Sequence, residues 1–270
     1  MVEVIRVFPR RTEATPVDGF VGHPPLWWPE DAAEVHVSVT FSWDLAEAHR
    51  LADEWASVTG LPTRVGGPAT GEAGGEFTPG LYLKPGYVIT SRGCPNRCWF
   101  CQVWGRDGDG RELLITEGWN LADDNILACS EAHVRAVFAM LKCQPRQAEL
   151  TGGLEAARLE PWHVDLLVDL KPKRFYFAYD TPNDLEPLTV AAEMVREAGL
   201  ARSHSACVYV LIGYPGDTME AAEMRLRETL TMGLFPFAML YRDHQGIRAP
   251  EWAAFQRRWA RPQIVGSVVL

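Results

Sequence analysis

Cysteine is scarce, six in 270 residues, too few for the disulfide scaffold that staples small secreted domains. No apolar run reaches the roughly 18 residues that span a bilayer. Glu3 and Arg6 interrupt the apolar start before a signal-peptide core can form. The expected setting is cytoplasmic, with no membrane partner. Positive charge is also in short supply: 26 Lys and Arg against 35 Asp and Glu leave a net charge of −9, with a pI near 5.3. That balance argues against nonspecific nucleic-acid binding, which needs a positive field. Arg92, Arg97, Arg106 and Arg111, and the later Arg257, Arg258 and Arg261, read as solvated surface or internal ion pairs. The chain has no internal repeat. It also lacks the second Cys-x-x-Cys or His-x-x-x-His pair that would close a structural zinc site. What remains, 47% hydrophobic and 23% charged, suits one large globular domain or a domain with a small companion.

The periodicity supplies the organisation. An early strand is expected over residues 2–8. Val35, Val37, Val39 and Phe41 alternate with polar residues as a second strand. Asp44, with Glu47 three residues on, predicts a capped helix carrying Leu45, Ala48, Leu51, Ala52, Trp55 and Val58, and a short strand follows at 63–65. Gly66 to Gly80 is rich in Gly and Pro and marks a linker. Six further strands are expected at 87–90, 125–129, 148–151, 174–179, 207–212 and 236–241, most separated by helical patterns at 130–142, 162–170, 185–198 and 218–230. Strand runs apolar on both faces suit a parallel sheet covered by helices. The expected fold is α/β: a small N-terminal α/β unit with its linker (1–80), a partial (β/α)6 TIM-like barrel (81–245), and a C-terminal helix and tail (246–270). Such barrels build their sites at the C-terminal ends of the strands.

Three of the six cysteines crowd into one segment, Cys94-Pro95-Asn96-Arg97-Cys98-Trp99-Phe100-Cys101, directly after the first barrel strand. Three thiolates on one loop can hold three irons of a 4Fe–4S cubane, where electron-transfer clusters use four. The fourth iron is then open for a ligand, which is the logic of a catalytic site. This spacing resembles the signature of the radical S-adenosylmethionine (SAM) superfamily, Cys-x-x-x-Cys-x-aromatic-Cys, with Phe100 at the aromatic position. The resemblance implies a 4Fe–4S cluster on Cys94, Cys98 and Cys101, and SAM bound to the open iron. It also implies reductive cleavage of SAM to a 5′-deoxyadenosyl radical that abstracts hydrogen from a substrate, with a reductant such as flavodoxin or ferredoxin as partner. A noncatalytic iron–sulfur electron-transfer or interaction protein is the alternative.

The same resemblance nominates SAM contacts. Gly152, Gly153 and Glu155 are similar to the family's glycine-glycine-glutamate motif for the SAM amino group, although Leu154 intervenes and the motif follows the third expected strand instead of the second. Asp180, after the fourth strand, suits ribose hydroxyls or an N-cap. Gly213 resembles the segment lying along the adenine, with Asp217 or Thr218 capping the next helix, and Tyr241 is placed to complete the pocket. Cys143 and Cys207 read as buried packing residues, and Cys129 stays open between packing and a role at the site. The N-terminal unit looks like a shortened cobalamin-binding module, yet the cobalt-ligand motif Asp-x-His-x-x-Gly is absent around His23, so no cobalamin is expected. Asp107 to Gly110 reads as a turn.

Overall fold

A computed structural model describes residues 3–202, 204–243 and 245–260. The chain opens with β1 (Glu3–Phe8), β2 (Phe20–Val21), β3 (Ala32–Ser38), α1 (Leu45–Thr59) and β4 (Thr63–Gly66). All four strands are parallel, in the order β2-β1-β3-β4. Val35, Val37 and Val39 bury the face that meets Ala48, Leu51 and Trp55 of α1, and these side chains form a core of their own. Gly60 ends α1 in the left-handed conformation that glycine adopts at little cost. The expected capping by Asp44 is not what the structure shows. Asp44 stands at the N-cap position but makes no capping bond, because its carboxylate is taken by Arg10.

The second body comprises β5 (Tyr87–Val88), β6 (Ser91–Arg92), α2 (Val103–Asp107), β7 (Arg111–Glu112), β8 (Asn120–Leu121), α3 (Glu131–Lys142), β9 (Glu149–Leu150), α4 (Pro161–Leu170), β10 (Arg174–Ala178), α5 (Leu185–Glu197), β11 (Ala206–Ile212), α6 (Met219–Thr231), β12 (Phe235–Leu240) and α7 (Pro250–Trp259). Six strands form one parallel sheet in chain order, β5-β8-β9-β10-β11-β12. Among the described residues β12 and β5 do not pair, so the sheet is a partial barrel of the TIM-like type. Residues 261–270, the expected tail, lie outside the described residues.

The pleat sorts the strand residues. Leu121, Leu150, Phe175, Phe177, Val208, Val210 and Ile212 face the helices and form the main core. The opposite face carries Tyr176, Tyr209 and Phe237: the two tyrosine rings stack at 4.4 Å, and Phe237 meets both edge-on. The Tyr209 hydroxyl donates to the carbonyl of Thr151, which ties the aromatic layer to the end of β9.

One strand expectation is overturned. Residues 125–129 do not form the second barrel strand; that strand is β8, and Ile126–Ala128 is a 3-10 turn that buries Ile126 and Leu127. A four-residue apolar run cannot distinguish strand from buried turn by periodicity. Here the chain leaves the sheet at Asp123, whose buried carboxylate accepts from the Thr90 backbone N–H, the Thr90 hydroxyl and the Ser91 hydroxyl at 2.6–2.7 Å. The stretch from Cys101 to Asn125 contains α2, β7 and β8, and β7 pairs antiparallel with β6.

Gly152 packs directly on the neighbouring strand end. A Cβ there would lie 2.0 Å from the Asp123 carbonyl oxygen, whereas one at Gly105 in α2 would meet nothing within 4 Å. Gly152→Ala is therefore expected to cost about 1–3 kcal/mol, as overpacking does. Thermal denaturation should show a melting temperature several degrees lower, with Gly105→Ala close to wild type; equal melting temperatures would contradict this packing.

Candidate metal centre

The cysteine loop begins at Gly93, whose φ of +88° only glycine adopts freely, and whose missing side chain leaves room for Gly108 and Gly110 at 2.8 Å. Cys94 N–H donates to the Gly108 carbonyl, and Gly93 N–H donates to Asp124. The Cys98 carbonyl accepts from Cys101 N–H and from the Trp104 indole, which closes the far half of the loop. All three thiols are free and partly buried. Burial, reinforced by the Cys101 and Cys94 thiols, pushes Cys98 up to about 11; burial likewise raises Cys101. Such thiols keep their protons until a metal displaces them.

Among the described residues no three His, Cys, Asp or Glu side chains converge as one metal ion requires. A cubane asks for something different, one thiolate on each of three irons. Three thiols of one loop, in mutual electrostatic reach, fit that donor set.

Asn125 faces this loop from the turn after β8. Its amide nitrogen donates to Cys94 Sγ at 3.4 Å and to Glu155 Oε2 at 2.6 Å, so the amide orientation follows from two acceptors on one side. Arg158 shares the same carboxylate at 2.7 Å. The Asn125 carbonyl oxygen is buried without a hydrogen-bond partner. An unmet buried acceptor beside Cys94 suits a ligand that brings a donor, such as an ammonium group. Sequence reasoning missed Asn125 because it fell inside the misplaced strand.

The other expected residues fall in distinct places. Glu155 is drawn to Cys94 through Asn125, whereas Gly152 serves strand packing and Gly153 turns the chain at φ +93°. Asp180 lies at the end of β10. Thr181 and Asp184 make the cap there, and Asp180 accepts from Leu211 N–H at 3.1 Å. Gly213 accommodates Trp252 of α7, since a Cβ would sit 2.9 Å from the indole. Thr218 caps α6 by accepting from Ala221 N–H, while Asp217 forms a buried ion pair with Arg225. Trp99 joins the cysteine loop to the last two strand ends: its ring meets Phe100, Tyr214 and Tyr241 at 5.4–5.8 Å.

Of the remaining cysteines, Cys207 is buried as expected, but Cys143 is exposed at the end of α3. Cys129 closes the 3-10 turn and lines a cavity of about 320 Å³ with Ser91, Glu112 and Asn125. None of the three loop cysteines lines that cavity. The Cys129 thiol is pushed up to about 11 by burial, against its bond with Ser91.

Structural comparison places this architecture beside the radical S-adenosylmethionine methyltransferase TsrM from Kitasatospora setae, solved with cobalamin and a 4Fe-4S cluster. The TM-score is 0.62 at 12% identity, over 88% of this chain and 74% of that one. The same enzyme with tryptophan and the SAM analogue aza-SAM gives the same score and identity, covering 88% and 72%. The chain has the radical SAM fold. No family model and no curated protein sequence matches it. Among the described residues no helix is long and apolar enough to cross a membrane.

Cobalamin meets a different test. In an open parallel sheet the ligand crevice lies where adjacent strand ends diverge, here between the ends of β1 and β3. Phe41 and Trp43 stack in that position at 4.8 Å, with Arg10 over the first ring and Arg242 over the second. Gly246 closes on Trp43, and the buried indole N–H has no partner. These side chains occupy the crevice that a corrinoid would need.

Asp180 yields a prediction. Burial, with repulsion from Asp184, lifts its carboxyl from 3.8 to about 7. The folded state therefore holds the proton more tightly than the unfolded chain, and stability is lost as pH rises from about 4 to 7. Asp180→Asn keeps the acceptor for Leu211 and removes the charge. In the metal-free protein its melting temperature should gain on wild type progressively across that window and hold the gain above it. A constant difference across the window would refute the shift.

Proposed function

We propose that this chain is a radical SAM enzyme carrying one 4Fe–4S cluster on Cys94, Cys98 and Cys101. The observation that carries the reading is a single loop presenting three cysteines at the C-terminal edge of an open parallel sheet, with Asn125 linking Cys94 to Glu155. Bound there, a reduced cluster and SAM together supply a 5′-deoxyadenosyl radical that takes a hydrogen atom from a substrate.

The chain's own residues bind and orient. The Asn125 carbonyl oxygen and the Glu155 carboxylate offer acceptors for the SAM ammonium group. Asp180 offers a carboxylate that accepts charge-assisted bonds from ribose hydroxyls. Trp99, Tyr214 and Tyr241 form an aromatic wall that offers flat surfaces to a purine, with Gly213 at its edge. Phe100 buttresses Trp99 from within the loop. A one-electron protein donor such as flavodoxin or ferredoxin completes the system, and the setting is cytoplasmic.

The test is anaerobic reconstitution with iron and sulfide, reduction with dithionite, and chromatography for 5′-deoxyadenosine after adding SAM. Wild type should form it and Cys98→Ala should not. A cluster that loads fully yet neither binds nor cleaves SAM would instead mark a noncatalytic iron–sulfur protein.

A further inference from the structure

Hydrogen-bond donors to the three thiols are few. The Val103 backbone N–H serves Cys101, and the Asn125 amide serves Cys94. Asn125 is the only side-chain donor to a loop thiol among the described residues. It is buried, and its orientation is fixed by the second hydrogen, which goes to Glu155 at 2.6 Å. The carboxylate is in turn held by Arg158. A chain of three side chains thus ends on one cluster sulfur.

Reduction adds one negative charge to a cluster, and part of that charge sits on its sulfurs. A fixed N–H directed at a sulfur stabilises the reduced form more than the oxidised one, and such bonds are among the levers that set cluster potentials. We propose that Asn125 is a positioning residue that raises the reduction potential of the cluster through Cys94, so that a modest physiological donor can reduce it. This rests on the cluster reading above and adds to it a role for a residue outside the cysteine motif. Glu155 and Arg158 keep the amide from turning its oxygen toward the sulfur, an orientation with the opposite effect.

The experiment is an anaerobic redox titration followed by electron paramagnetic resonance, without SAM, on reconstituted wild type, Asn125→Leu and Asn125→Ser. Leucine matches the volume and serine leaves the backbone free to adjust, so the two variants remove the amide in different ways. Iron and sulfide per chain are measured on each sample. Both variants should load the cluster as wild type does and show a midpoint potential shifted to more negative values. A variant with full cluster content and an unshifted or more positive potential overturns the proposal. Loss of the cluster from both variants, while wild type loads, also overturns it, because the amide would then hold the cluster in place instead of tuning it. Failure of wild type itself to take up a cluster would refute the cluster reading, a separate result.

Discussion

The carboxylate of Asp123 is the constraint on which the site depends. It is buried at the end of β8, yet its two oxygens accept three bonds from Thr90 and Ser91 at the start of the segment leading to the cysteines. A buried carboxylate is costly unless such donors surround it, and here the donors are the residues that must be placed. The bonds hold the β5 extension against the β8 end and so fix where β6 begins. Asp124 then takes the Gly93 N–H, and Asn125 reaches Cys94. Three consecutive side chains of one turn thereby hold three successive points of the cysteine loop's entry.

Much of this was legible in the sequence, for reasons that differ by residue. The strands β10 to β12 are long and apolar on both faces, so their periodicity is unmistakable, and the helices between them carry clear stripes. The cysteine loop was legible because its spacing is itself chemical information. Strand β8 was not, since two paired residues between Trp119 and Asp123 give no period to read, and the apolar 126–129 run nearby gave a false one. Asp123 and Asn125 could have been found only by asking why polar residues precede a buried apolar turn. Gly152 reads as a ligand glycine, and the structure adds a steric need for it, set by the Asp123 carbonyl. Asp44 looked like a cap because its position is right; Arg10, distant in sequence, decides otherwise.

The two cores divide the labour. The larger sheet turns an aromatic layer of Tyr176, Tyr209 and Phe237 inward, which floors the open barrel below the cysteine loop. The N-terminal sheet turns its strand ends toward the β12 loop and fills them with Phe41 and Trp43. Its crevice is spent on contact with Arg242 and Gly246. The likeness to TsrM is one of architecture.

The linker between the sheets does more than span a gap. Gly74 N–H donates to Asp107, its carbonyl accepts from Arg111, and Arg92 reaches the Gly75 carbonyl at 3.1 Å. These partners belong to β6, α2 and β7, the elements that frame the three cysteines. A segment that reads as a linker is thus a buckle across the cysteine hairpin, and Gly74 is what lets it lie flat against Arg92. The N-terminal unit is therefore not a removable module: cutting the chain at the apparent boundary would unfasten the cysteine loop along with it.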